Sequence, residues 1–319
     1  MNNKNLIPIF YAVNDYYAPL LSVSLISMIK NADSQYHYQI TILYQDLSLD
    51  NQNKLTALVK DNSNNFTISF ESIDQNFKAR FGGDKNTLRC DYFTLTIYYR
   101  LFIADMFPQY DKGIYLDADT VVTGDITKLY NIDLKDKLVA GASDTFIAND
   151  PVLTNYAENG TGVKVSTYIN SGVLLMNLKA FRDLHFTKHF LNLLNKYHAK
   201  TVAPDQDYLN AIANNRVLHL PQIWNAMPSE KIANPAIIHY NLYHKPWHYD
   251  DVIYYDVFWK YAKYSNYYDD LVKIKQNYSE QQKAEDAAKM ETLMKEVANI
   301  PEKDLTLKKI YDSGEKVRL

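Results

Sequence analysis

The feature that most restricts this chain is the alternation of short apolar strands with helices over its first 116 residues. Leu6 to Tyr11 reads as a strand, and from Tyr16 to Lys30 the residues Leu21, Leu25, Met28 and Ile29 recur at i, i+4, i+7 and i+8, one face of a helix. Tyr38 to Tyr44 is β-branched and aromatic, Asp50 to Lys60 a capped helix, and Phe66 to Phe70 another strand. A β-α-β-α-β order of this kind builds an α/β domain around a largely parallel sheet, an architecture compatible with nucleotide binding. A polar, glycine-containing loop follows from Arg80 to Asp91, a candidate lid over a bound ligand. Leu95, Tyr98, Tyr99 and Phe102 then fall at i, i+3, i+4 and i+7 and predict a helix. The next strand, Lys112 to Leu116, runs straight into Asp117-Ala118-Asp119-Thr120.

Further along, Leu138 to Ala142, Tyr168 to Met176 and Ala236 to Tyr240 read as strands, and Leu184 to Tyr197 and Asp205 to Asn214 as helices. The character changes after Trp247. Asp250 to Tyr278 is a helical stretch rich in Tyr, Asp and Lys, and Ser279 to Leu319 carries 8 basic against 9 acidic residues, which predicts solvated helix and coil packed on, or extending from, the main domain. The expected division is a catalytic domain over 1–249 and a C-terminal helical extension over 250–319. Within that extension Tyr254, Phe258 and Tyr261 form an aromatic stripe, read as core or packing surface, with at most a peripheral membrane contact.

Composition removes several classes of function. With 34 Lys+Arg against 37 Asp+Glu there is no global basic field for nucleic acid. The single cysteine, Cys90, forms neither an internal disulfide nor a thiolate metal site, which favours a reducing compartment. The N-terminal run lacks the apolar core of a signal peptide, and the stretch from Pro19 to Ile29 falls short of the roughly 18 residues a membrane span needs. A soluble, cytoplasmic protein is expected. The count of 27 tyrosines, against 13 phenylalanines, stands out as unexplained.

Asp117 and Asp119 sit where an apolar strand meets a loop, and in open α/β sheets ligands bind at the carboxyl ends of strands. Both carboxylates reach one ion only if the chain turns there or if one of them acts through water. Hard oxygen ligands suit Mg²⁺ or Mn²⁺ that also takes diphosphate oxygens. The bland alternative is a loop of solvated aspartates. An apolar strand followed by D-x-D-x-T also describes haloacid-dehalogenase-type phosphatases, but there the motif closes the first strand of the domain, whereas here it follows about 110 residues that already contain β-α-β-α-β.

Several segments together resemble glycosyltransferase family 8: Phe10-Tyr-Ala-Val-Asn-Asp-Tyr-Tyr, Tyr98-Tyr-Arg-Leu, Tyr115-Leu-Asp-Ala-Asp-Thr, Tyr168-Ile-Asn-Ser-Gly-Val-Leu-Leu-Met-Asn-Leu, Pro204-Asp-Gln-Asp-Tyr-Leu-Asn, and Ile238-His-Tyr with Lys245-Pro-Trp. The resemblance runs from about Ile9 to His248. It implies a GT-A fold, with a Rossmann-like nucleotide-binding half and an acceptor half, and a retaining transferase that uses a UDP-sugar and Mn²⁺, with Mg²⁺ as the other candidate ion. UDP-glucose or UDP-galactose would be the donor, and a glycan, glycoprotein or glycolipid the acceptor. A protein that keeps the fold but binds sugar or a partner without turnover is the second reading, disfavoured because the full motif set is present.

By the same resemblance Asp117, Asp119 and His239 form the metal set. Ala12, Asn14 and Tyr17 approach the nucleotide, Arg100 lies beside the D-x-D loop, and Lys245 meets the diphosphate. Asp205 and Gln206 lie beside the transferred sugar, where a carboxylate at a helix N-terminus is kept ionised. Asn170 and Asp144 match sugar-site and acceptor-side positions. One departure is visible: the family commonly has glycine two residues after the tyrosine of H-Y-x-G, and this chain has Leu242 there. His244 is an extra candidate that the family pattern does not contain.

Overall fold

The computed structural model describes residues 5–73 and 95–319. Seven strands form one sheet in the order β3-β2-β1-β4-β7-β6-β8, with β1 at Leu6–Val13, β2 at His37–Tyr44, β3 at Phe66–Ser72, β4 at Gly113–Leu116, β6 at Val139–Gly141, β7 at Val173–Met176 and β8 at Val217–His219. The first four run parallel, as the alternation with helices requires, and β7 is antiparallel to both β4 and β6. A second, two-stranded sheet pairs β5 (Thr120–Val122) with β9 (Ile237–His239), Thr120 opposite His239. This small sheet carries the D-x-D turn across to the histidine.

The pleat sorts side chains into two apolar layers. Ile7, Ile9, Tyr11, Ile114, Leu116, Val173 and Leu175 enter one core, while Phe10, Tyr115, Leu174 and Met176, one residue out of step, enter the other. Strands covered on both faces read as unbroken apolar runs, which is why Leu6–Val13 and Gly113–Leu116 were recognisable. The sheet order reverses between β1 and β4, leaving a crevice at their carboxyl ends.

Three expectations change. The segment expected as an α-helix is a 3-10 helix over Leu95–Leu101, followed by a short α-helix over Ile103–Met106. At three residues per turn, Tyr98 and Leu101 share one row and pack into the core, while Arg100 turns toward the β4 terminus. Tyr168 to Met176 is a strand only from Val173: Ile169 makes just an isolated bridge with Ser143, and Ser171-Gly172 form a turn. The strands Thr120–Val122 and Val217–His219 are too short to show a period. The expected lid from Arg80 to Asp91 lies outside the described residues.

Residues beyond 250 share both cores. Phe258, Tyr261 and Leu271 join the first, and Val297, Ile300, Leu307, Ile310 and Val317 the second. The long helix Glu280–Lys303 lies on the Pro151–Tyr156 helix. Of the aromatic stripe, Phe258 and Tyr261 are buried, and Tyr254 is half-buried with its hydroxyl bonded to the backbone of Ile232, so the stripe is packing surface. Among the described residues no helix is long and apolar enough to cross a membrane.

Candidate active site

The chain does turn after β4. Asp117 and Asp119 flank a tight turn between Leu116 and Thr120, and pairing of Thr120 with His239 brings the imidazole to both carboxylates. One ligand atom from each of Asp117, Asp119 and His239 lies within 4.8 Å of the others. His239 Nε2 is 3.3 Å from Asp119 Oδ1 and 3.6 Å from Asp117 Oδ2.

Amide orientation fixes the imidazole. Asn170 Oδ1 accepts from the backbone N–H of Gly172, so its Nδ2 donates to Asp144; Asn225 Nδ2 then donates to Asn170 Oδ1, which leaves Asn225 Oδ1 to face His239 Nδ1 at 3.1 Å. Nδ1 therefore carries a proton, and Nε2 points between the two carboxylates. A divalent ion with one nitrogen and two oxygen ligands fits that arrangement. Gly172 is required by the same closeness: a Cβ there would lie 2.2 Å from His239 Cε1 and 2.7 Å from Asp117 Oδ2.

Two cations brace the acids. Arg100, 6% exposed, bonds Asp117 Oδ1 at 2.9 Å and Asp205 Oδ2 at 3.0 Å, and donates to the carbonyl and hydroxyl of Ser171. Its guanidinium lies over the Tyr115 ring, whose hydroxyl donates to the same Asp117 oxygen. Lys245 Nζ lies 2.5 Å from Asp119 Oδ2 and donates to the Tyr240 carbonyl. Burial raises the pKa of Asp119, but the charges of Lys245 and His239 outweigh it and hold the carboxyl below its ordinary range. For Asp205 burial wins over Arg100, and its pKa is raised.

The remaining predicted residues extend this into a closed ring of contacts. Ser171 Oγ donates to Asp205 and its N–H to Gln206 Oε1; Gln206 Nε2 donates to Asp144 Oδ2, which also accepts from Asn170. Tyr17 is half-buried at the far side, and burial, then Asp119, Tyr16 and Asp117, raise the pKa of its hydroxyl. Asn14 caps the turn at Asp15–Tyr17, its Oδ1 accepting from the Tyr17 N–H, and Ala12 ends β1 half-buried. His244 is not brought to the cluster. It is exposed and bonds Asp251.

A family model for glycosyl transferase family 8 matches residues 8–251. The chain belongs to this family. General stress protein A of Bacillus subtilis (strain 168) is 25% identical over 269 residues, 77% of this chain and 89% of that protein. A lipopolysaccharide 1,2-glucosyltransferase of Escherichia coli (strain K12) is 25% identical over 281 residues, 81% of this chain and 78% of the other. The galactosyltransferase LgtC, solved with donor and acceptor sugar analogs, superimposes with a TM-score of 0.69 at 24% identity, over 82% of this chain and 96% of its own. The bifunctional glycosyltransferase WbbM gives a TM-score of 0.75 at 23% identity, over 86% of this chain and 52% of that larger one. Both structures have the fold described above, and the phosphatase alternative is set aside.

Family 8 membership accounts for the motifs but not for every residue that holds them in place. Ser171, Gly172 and Tyr115 lie inside recognised segments without having been singled out. Asn225 had no signal at all, since Trp224-Asn225-Ala226 belongs to no motif. Asp207 was also missed: fully buried, it accepts from the hydroxyls of Tyr156 and Tyr168 and the N–H groups of Val202 and Ala203, and so anchors the start of the helix that presents Asp205 and Gln206. Burial outweighs those four donors, and its pKa is pushed up to about 6. Leu242, at the usual glycine position, adopts φ +60, a left-handed backbone that glycine takes without cost.

Proposed function

We propose that this family 8 protein is a retaining glycosyltransferase that moves a hexose from UDP-glucose or UDP-galactose to a glycan, glycoprotein or glycolipid. The observation that carries the reading is the Asp117, Asp119 and His239 cluster at the carboxyl end of β4, with Nε2 held between two carboxylates. When bound there, Mn²⁺, or Mg²⁺ in its place, supplies Lewis-acid neutralisation of the leaving diphosphate.

The chain's own groups do the rest. Asn14 and Tyr17, at the end of β1, bind the nucleotide base and ribose, with Ala12 leaving room for their approach. Lys245 adds a positive charge beside the diphosphate. Asp205, kept in place by Arg100 and Ser171, faces the sugar and stabilises positive charge at the anomeric carbon, while Gln206, Asn170 and Asp144 hold sugar and acceptor hydroxyls. In a front-face transfer the bond from the anomeric carbon to the phosphate oxygen breaks, the bond to the acceptor oxygen forms on the same face, and the acceptor proton passes to the departing UDP. The single cysteine fits a cytoplasmic setting.

A donor screen tests this reading. UDP-glucose, UDP-galactose and their N-acetyl forms are incubated with Mn²⁺ and a broad acceptor panel; UDP release is measured and the product's anomeric configuration read by NMR. One hexose donor releasing UDP with retained configuration is expected. No release from any donor would favour a binding protein without turnover, and an inverted product would overturn the retaining assignment.

A further inference from the structure

Tyr278 lies at the joint between the helix Tyr268–Asn277 and the long helix Glu280–Lys303, far along the chain from every motif above. Its ring stacks on His248 with centroids 3.5 Å apart and planes 2° from parallel. Its hydroxyl donates to Asp286 Oδ2 at 2.5 Å, an oxygen that also accepts from Tyr249 at 3.0 Å. Asp286 is buried although it lies on a charged helix. One carboxylate therefore gathers two tyrosines from two different segments.

The same stack leads back into the donor side. His248 and Tyr249 close a backbone turn onto the carbonyl of Lys245, the residue whose ammonium bonds Asp119. His248 Nε2 lies 3.4 Å from the hydroxyl of Tyr16, and Tyr16 packs edge-on against Tyr17 at 5.4 Å. Among the described residues His248 Nδ1 has no hydrogen-bond partner, so hydrogen bonding at that atom does not hold the ring in place and the Tyr278 face does. The contacts run without a gap from Asp286 through Tyr278, His248 and Tyr16 to Tyr17.

We propose that Tyr278, clamped by Asp286, acts through His248 and Tyr16 as a positioning residue for the nucleotide-sugar side of the site, making the segment 278–286 a working part of that site. The inference rests on the donor reading above for its effect on turnover, but the coupling itself is independent of it. Stacking supplies shape rather than charge, so the effect falls on donor binding and leaves the chemical step alone. Tyr278→Phe keeps the ring and loses the bond to Asp286; Tyr278→Leu loses both.

The test compares both variants with the unaltered full chain by amide hydrogen exchange and by steady-state kinetics with Mn²⁺ and the UDP-sugar that the screen identifies. In Tyr278→Leu, exchange should quicken at residues 15–17 and 245–249 and stay unchanged in β1, β2 and β4. KM for the donor should rise about tenfold with kcat within about twofold, and Tyr278→Phe should recover most of that loss. Exchange unchanged at those two segments, or quickened equally throughout the sheet, would overturn the inference, as would a loss confined to kcat. Asp286→Asn provides a second route should Tyr278→Leu fail to fold: it loosens the hold on Tyr278 and Tyr249 but keeps the stack, so a weaker quickening confined to residues 15–17 and 245–249 is expected, and none there, or an equal one throughout the sheet, would contradict the inference. If the unaltered chain turns over no UDP-sugar while the local exchange change is seen, the donor reading fails and the coupling stands.

Discussion

Asp117, Asp119, His239, Arg100 and Lys245 crowd five ionisable groups onto one end of the site, whereas the opposite end is held by amides, Asn170 and Gln206 meeting on Asp144 and Asn225 on Asn170. The charged end draws on the ends of two strands, Leu116 and His239, that are over a hundred residues apart. Arg100 pairs with Asp117 and Lys245 with Asp119, and the carboxylates and the imidazole converge on a place that a divalent ion fits. At the amide end Asn170 and Gln206 each bond a backbone N–H and the Asp144 carboxylate, and Asn225 bonds Asn170. This end sets direction, and through Asn225 it sets the tautomer of the histidine on the charged end. Charge there serves the chemistry, and the amides make that charge point the right way.

Variants separate the two ends, and the largest effect belongs to the charged one. Asp119→Asn keeps the size of the side chain but leaves the buried Lys245 ammonium without its carboxylate, so the melting temperature should fall with the fold intact, while turnover falls by about a thousandfold or more. Circular dichroism melts and UDP release check both halves, and near-native rates would break the assignment. Gly172→Ala comes next. Its methyl group displaces His239 and Asp117, and Mn²⁺ affinity should drop about a hundredfold by calorimetry.

Asn225→Ala strikes the amide end instead. It strips partners from buried Asn170 and His239, so it should cost about 1–3 kcal/mol in denaturant unfolding as well as about tenfold in Mn²⁺ affinity. A loss of affinity with no loss of stability would contradict the division of labour.

The pH dependence is subtler, because two buried groups act in opposite senses. Asp207 has a folded pKa of about 6 against an ordinary 3.8, so the fold takes up a proton between those values and gains stability as pH falls through that window. His248, facing Asp286, Lys245, Lys275, Tyr16 and Tyr278, is pushed down by burial to about 4 from 6.5, so the unfolded chain takes up the proton and stability is lost as pH falls from 6.5 toward 4. Asp207→Asn should therefore steepen the loss of melting temperature from pH 6.5 to 4.5, and His248→Phe should flatten it. Slopes unchanged in both variants would contradict the two assignments. The smallest effect is expected for Leu242→Gly: relief of a left-handed leucine against added chain entropy leaves at most about 1 kcal/mol of stabilisation, and a clear destabilisation would show that Leu242 packs for a purpose.

The long, doubly covered strands were legible because burial on both faces leaves an unbroken apolar run, as in Leu6–Val13. The three-residue strands Thr120–Val122 and Val217–His219 were not, although the first of them delivers Asp119 to His239. The 3-10 winding at Leu95–Leu101 was hidden because i, i+3 spacing is shared with an α-helix. Site residues with a motif could be read; Asn225 and Asp207 act by orienting neighbours, a task that any suitably placed amide or acid performs and that leaves no spacing behind. The tyrosines now have a partial account. Tyr115, Tyr156, Tyr168, Tyr249 and Tyr278 each donate a hydroxyl to a carboxylate, a bond that phenylalanine lacks.

Mn²⁺-dependent UDP release, measured side by side in the unaltered chain and in Asp119→Asn, tests the central claim most directly. Release from a UDP-hexose is expected to saturate with Mn²⁺, to vanish under chelation and to stay at background in the variant at any Mn²⁺ concentration. Release that is indifferent to chelation, or equal in the two proteins, would contradict it.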